Sequence, residues 1–391
     1  MTAPLITPRR RGTGAIAAAS LIGLLLTIPA CAGKVEPRAQ TCLSGTLTYD
    51  HKDADAGEKK PVVTSPARNA NWELWGKTSA KASAERLASG ITHSDNGTFK
   101  ACYTAAGPLP EVHVKFRSSS TDMWRVVTDR TAQTEYAFDS PSRFDVSAGQ
   151  NLGTVKVPAE IQNAWHVVDT LNLLYWKRGN PHSDCWTSHQ KSGTCDRLTF
   201  VWEPADNADS GYWDHREETD TSEGANSVVV SGAMTDSKHL ILHEAGHWWQ
   251  WQLYGRQFPE VTDCSAHYIE KRSSTTCAWT EGFADAVAAY VLGDYRFVDE
   301  NGGATSLENG TSTPGWDPGD TTQGRVGSSL LDLWAENGPD GGTWDRTIQL
   351  MTREKSDDFR EYFLEDRPKA TPPLSTTGAA KDILRRHTID Y

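Results

Sequence analysis

The sequence has no Cys-x-x-Cys pair and, past its first thirty or so residues, no apolar run long enough to cross a bilayer. The first absence removes the usual thiolate zinc ribbons and thioredoxin-like redox sites. The second removes a polytopic membrane protein, because a spanning helix needs about 20 apolar residues. Basic residues are scarce: 39 Lys and Arg against 51 Asp and Glu give a net charge of −12. That balance argues against nucleic acid as a partner, which requires a basic footprint. There is no internal repeat. What is present is a chain of 391 residues, 37% hydrophobic, with 15 Trp and 7 Cys. It is long enough for roughly two domains, each with its own core.

The N-terminus reads as an address. Arg9, Arg10 and Arg11 precede an apolar run from Ala15 to Ile28, the length of a signal-peptide core. The run ends in Thr27-Ile28-Pro29-Ala30-Cys31, which resembles the lipobox of bacterial lipoprotein signals. The resemblance implies lipidation of Cys31 and attachment to a membrane through that lipid, with residues 1–31 removed or modified. Pro29 departs from the pattern, and ordinary secretion with cleavage near Ala32 is the alternative. An exported chain permits disulfides. The six cysteines left after Cys31 fall in three successive couples, so the expected pairing is Cys42–Cys102, Cys185–Cys195 and Cys264–Cys277.

Two textures divide the remainder. Residues 32–157 read as an all-β sandwich, with strands expected at Thr46–Tyr49, Trp72–Trp75, Phe99–Tyr103, Glu111–Phe116, Met123–Thr128 and Leu152–Val157. The alternation of Glu111-Val112-His113-Val114-Lys115-Phe116 is that of a strand with one buried face. Only a candidate helical turn at Lys81–Leu87 interrupts the β pattern. Gly45-Thr-Leu-Thr-Tyr49, Trp72-Glu-Leu-Trp75 and Asp95-Asn-Gly-Thr-Phe99 resemble the transthyretin-like or carboxypeptidase-regulatory modules of exported proteins, which implies a non-catalytic spacer or binding module. Residues 158–391 read as a mainly helical α+β domain. Helices are expected at Ile161–Trp176, Lys238–Tyr254, Thr280–Leu292, Val326–Glu336 and Thr343–Glu354, and strands at Arg197–Trp202 and Ser227–Val230. The polar stretch Asp299–Gly324 reads as a long surface loop.

The chemistry lies in His243-Glu244-Ala245-Gly246-His247, an H-E-x-x-H motif inside an apolar helix that follows a β-rich run. Residues four apart stand about 6 Å above one another on one helix face. Both imidazoles can therefore grip one ion while Glu244 reaches a water beside it. Zinc suits such a nitrogen and carboxylate site. A third protein ligand is needed, and Gln250 and Leu253 occupy the positions where the metzincin pattern places Gly and His. The leading candidate is Glu281 in Trp279-Thr280-Glu281-Gly282-Phe283-Ala284-Asp285, with His267 and Asp263 as rivals in the connecting loop. Asp285, four residues after Glu281, can accept a hydrogen bond from the far nitrogen of a zinc-bound imidazole.

Together these segments resemble the gluzincin metallopeptidases, the thermolysin-like class with H-E-x-x-H on one helix and E-x-x-x-D on the next. The resemblance implies one catalytic Zn2+, peptide or protein substrates, and hydrolysis of peptide bonds. It also implies His243, His247 and Glu281 as ligands, Glu244 as general base and Asp285 as the carboxylate behind a ligand. An oxyanion donor is expected from Tyr290, Tyr295, His215 or Arg325. Calcium finds no support: Asp53-Ala-Asp55-Ala-Gly57-Glu58 and Asp206-Asn-Ala-Asp209 have its composition without the EF-hand register. Two other readings keep the fold, namely an inactive envelope binding or adhesion protein with a structural zinc, and a zinc hydrolase of a non-peptide envelope bond. The sequence carries no signal for an oligomeric state.

Overall fold

The computed structural model describes residues 39–105, 107–121, 123–131, 133–178, 185–187, 189–190, 195–204, 211–214 and 227–391. Cys31 and its leader, His215 and the run 206–209 lie outside the described residues. The first half is strand-rich: β1 (Ala39–Lys52), β2 (Val62–Pro66), β3 (Asn71–Lys77), β4 (Glu85–Ile91), β5 (Thr98–Ala105), β6 (Leu109–Arg117), β7 (Ser119–Ser120), β8 (Trp124–Val127), β9 (Ala137–Asp139), β10 (Arg143–Val146) and β11 (Gln150–Lys156). In the second half follow α1 (Gln162–Lys177), β12 (Leu198–Glu203), β13 (Tyr212–Trp213), β14 (Val228–Ser231), α2 (Lys238–Leu253), α3 (Thr275–Leu292), β15 (Arg296–Val298), β16 (Ala304–Ser306), α4 (Gln323–Trp334), α5 (Asp345–Met351) and α6 (Ala379–Arg386).

One sheet is built on β1, which pairs with β2 and β5 antiparallel and with β11 parallel. Cys42 stands directly opposite Cys102 in the β1–β5 register, so the expected disulfide closes between facing residues. A second sheet runs β10-β6-β3-β4, with β9 also on β6. Val112, Val114 and Phe116 turn the buried face of β6 inward, as the alternation in the sequence requires. Leu43, Leu47 and Phe99 of the first sheet join them in one core, where the Phe99 and Phe116 rings meet edge to face at 5.1 Å.

The structure corrects three sequence expectations here. Residues 81–87 form no helical turn; Glu85 onward belongs to β4, which pairs antiparallel with β3. The strand expected at Met123–Thr128 leaves the β-rich half. As β8 it pairs parallel with β12, in a sheet ordered β13-β14-β12-β8-β7. Residues 299–324 are not wholly surface loop either. They contribute β16, paired with β15, and bury Leu307 and Asn309.

The helices over this last sheet position the site. Helix α2 begins at Ser237, whose hydroxyl accepts the Leu240 N–H. Every residue from His239 to Leu253 is buried, so α2 is a core helix rather than an amphipathic surface one. Helix α3 is capped by Ser274 at its start and by Gly293, at φ 66°, at its end. Its small residues let neighbours close in. A methyl on Gly246 of α2 would lie 3.0 Å from Ala284 Cα, and one on Gly282 would lie 2.6 Å from the Gln323 carbonyl of α4. Among the described residues seven tryptophans, Trp248, Trp249 and Trp279 included, are fully buried, so the Trp enrichment serves mainly the core.

Candidate metal centre

Helix α2 presents His243 and His247 one turn apart toward α3, and α3 presents Glu281 and, one turn later, Asp285. Three atoms converge. His243 Nε2 lies 3.1 Å from Glu281 Oε2 and 3.1 Å from His247 Nε2, and His247 Nε2 lies 3.4 Å from the same Glu281 oxygen. Ligands at about 2.1 Å from a tetrahedral ion stand about 3.4 Å apart, so this donor set fits one zinc. The hydrogen-bond pattern adds to the fit. His243 Nδ1 donates to Asp285 Oδ1 at 2.8 Å, which turns Nε2 toward the Glu281 carboxylate, where a bound cation would take the place of a second N–H. Gln323 of α4 donates to the other Asp285 oxygen at 3.1 Å, so the carboxylate is fixed from both sides.

The electrostatics follow from burial and from these contacts. Burial alone would push the His243 imidazole down, but hydrogen bonds to Asp285 and Glu281 override it and hold its pKa well above the ordinary value. Burial would raise Glu281, yet His247, His243 and His267 hold it well below the usual carboxylate range. Glu244 has the opposite fate: burial dominates and lifts its carboxyl above the ordinary value. His267 belongs to this group too. Its Nε2 lies 3.3 Å from Glu281 Oε2, its Nδ1 donates to the Cys264 carbonyl at 2.9 Å, and the Glu281 hydrogen bond pushes it up to about 9. The Cys264–Cys277 disulfide ties this stretch of chain to the first turn of α3, while Cys185–Cys195 closes the third expected pair.

These groups open on a cleft of about 800 Å3. Glu244, His243, His247, Glu281 and His267 line it, together with Tyr212, Trp213, Phe258, Pro259 and Val261. Gly211 sits over the general-base candidate, since a methyl there would stand 3.2 Å from Glu244 Oε1 and 2.7 Å from the Met234 side chain. None of these wall residues was marked by sequence pattern, because they come from β13 and from the loop after α2. Gln323 was missed for the same reason, lying far along the chain.

Of the four expected oxyanion donors, Tyr290, Tyr295 and Arg325 are not among the residues lining the cleft, and His215 lies outside the described residues. Arg325 is buried and spends its guanidinium on Asn309 Oδ1, on the Gly310 and Asp317 carbonyls and over the Trp316 ring. Tyr290 stacks on Trp344 at 4.5 Å, and Tyr295 lines a separate shallow pocket with Asp294 and Arg296. The calcium-like loop is likewise spoken for: Asp53 and Asp55 bind Lys238, and Asp55 binds His239 at 2.7 Å. No helix among the described residues is long and apolar enough to cross a membrane.

Two family profiles match the chain. The mycolysin middle domain matches residues 42–164, and the mycolysin C-terminal domain, which holds the whole cluster, matches residues 179–388. No curated protein matches. Among solved structures, a 9R-lipoxygenase from Cyanothece PCC8801 is 15% identical over 39% of this chain and a quarter (25%) of that one, with a TM-score of 0.20, too low to bear on the fold.

Proposed function

The chain belongs to the mycolysin family, and from that premise we propose that it is an exported zinc-dependent peptidase with Glu244 as its general base. Mycolysin domains point to a metallopeptidase, and three disulfides agree with an extracellular setting. The observation that carries the finer reading is the meeting of three ligand atoms from two helices within 3.4 Å, beside a buried carboxylate that opens on a cleft. The leader and a lipid at Cys31 rest on the sequence alone, as does the division into residues 32–157 and 158–391, which β8 crosses by pairing with β12.

His243, His247 and Glu281 would hold the ion. Zinc, when bound, supplies Lewis acidity to water and to a carbonyl group. Asp285 keeps the proton of His243 on Nδ1 and so keeps Nε2 turned toward the ion site. Glu244 takes a proton from the attacking water and passes it to the leaving amine, a task suited to a carboxylate whose burial raises its proton affinity. Trp213 and Phe258, in edge contact at 4.8 Å, give the cleft an apolar lining beside the cluster. A binding protein with a structural zinc has no use for a carboxylate in that place.

Glu244→Gln tests the reading. Its kcat on a peptide substrate should fall by about 10²–10⁴-fold, the usual worth of a positioned acid–base group, while zinc content stays unchanged. Undiminished hydrolysis would remove Glu244 from the chemistry.

A further inference from the structure

Glu281 is held from two sides, by imidazoles of α2 on one and by a loop imidazole on the other. The donor atoms of His243, His247 and Glu281 lie within 4.8 Å of one another, and His267 does not join that group. Its two ring nitrogens face oxygens that only accept: Nδ1 lies 2.9 Å from the Cys264 carbonyl, and Nε2 lies 3.3 Å from Glu281 Oε2. That is the arrangement of a doubly protonated ring paired with a carboxylate. The Nε2 atoms of His243 and His247 instead face each other at 3.1 Å, where two N–H groups cannot both point. At least one of that pair turns a lone pair inward, whereas His267 offers only N–H groups.

We propose that His267 is a positioning residue for Glu281: from the loop it holds the carboxylate oxygen that faces the ion site, as Asp285 holds His243 from α3. The proposal rests on the zinc reading of the site. Ligand carboxylates, like ligand imidazoles, take an outer partner that fixes their orientation. The other Glu281 oxygen, Oε1, stands 3.8 Å from Cys264 Sγ, so both oxygens border the stretch 264–267. That stretch is fixed in its turn. Its disulfide runs to Cys277 in the first turn of α3, one turn before Glu281, and the Cys264 carbonyl takes the Nδ1–H of His267. Disulfide, carbonyl and ring thus form a brace that starts and ends on α3. The His267 side chain is 37% exposed and lines the cleft, whereas that of Asp285 is wholly buried. The brace on Glu281 therefore lies on the open side of the site, and the one on His243 lies in the core.

Side-chain length separates this role from simple support of the loop. An Asn amide reaches where Nδ1 stands and can keep the bond to the Cys264 carbonyl, while a Gln amide reaches where Nε2 stands and can keep the contact with Glu281. The test measures Zn2+ affinity by chelator competition in the full chain, as wild type, His267→Asn and His267→Gln. His267→Asn should bind Zn2+ about 10–100-fold more weakly than wild type. His267→Gln should lie closer to wild type than to His267→Asn. Wild-type affinity in His267→Asn would overturn the proposal and leave the triad standing, and so would a His267→Gln chain that binds no more tightly than His267→Asn. A wild-type chain that binds no ion would instead remove the zinc reading beneath it.

Discussion

At the scale of single residues, Asp285 is the group whose contribution is cleanest to isolate. It is buried, it touches no cleft, and its two oxygens hold His243 on one side and Gln323 on the other. Asp285→Ala should lower zinc affinity by about 10–100-fold in chelator competition, the usual worth of the carboxylate behind a ligand imidazole. Unaltered affinity would mean that His243 needs no such support. Asp285 and Glu281 were legible in the sequence because four residues make one helical turn and because carboxylates on a small-residue helix have few other reasons to share a face. Gln323 and the cleft wall were not legible. Their roles arise from chain segments brought together only by packing, and neither Tyr212 nor Phe258 carries a local signature. Arg325 and Tyr290 are the reverse case, chemically apt side chains that are engaged in contacts away from the cleft.

At the scale of elements, the site depends on how closely α2, α3 and α4 approach. Gly282, next to Glu281, faces α4 with only 2.6 Å between a would-be methyl and the Gln323 carbonyl, and 2.9 Å to Val326 Cβ. Gly282→Ala must push the two helices apart. A loss of about 1–3 kcal/mol is expected, as for overpacking of a close core, read as a lower urea midpoint. Zinc affinity should fall with it, since the Gln323–Asp285 hydrogen bond lies at that crossing. A variant as stable as wild type would show that the contact is slack. The ends of the five expected helices lie within five residues of those observed. The strands at the seam were not readable, since nothing in 119–127 says which sheet it joins. There β8 pairs with β12, some seventy residues later in the chain, across the change of texture at Pro158.

At the scale of the whole molecule, the strand-rich half and α1 meet through buried titratable groups. His51 of β1 stacks on His166 of α1 at 3.9 Å, 12° from parallel. Tyr49 and Arg68 bind Asp169 beside them. Burial pushes both imidazoles below the ordinary 6.5, His166 well below, and Lys238 adds to the depression in each. Both are therefore neutral in the folded chain at a pH where the unfolded chain begins to take up protons. Their contribution to stability is complete above about pH 6.5 and is lost as the pH falls below it, at up to about 1.4 kcal/mol per pH unit for each ring. Denaturant midpoints between pH 8 and 5 should fall accordingly, and His166→Gln should flatten the slope. The same slope in wild type and variant would place the acid sensitivity elsewhere.

The central claim is that two neighbouring helices bring two imidazoles and one carboxylate to a single zinc. Anomalous diffraction at the zinc edge from crystals of the purified chain tests it most directly. One strong peak is expected about 2.0–2.2 Å from His243 Nε2, His247 Nε2 and Glu281 Oε2. Zinc-replete crystals with no peak there, or with the ion bound away from these three atoms, would contradict it.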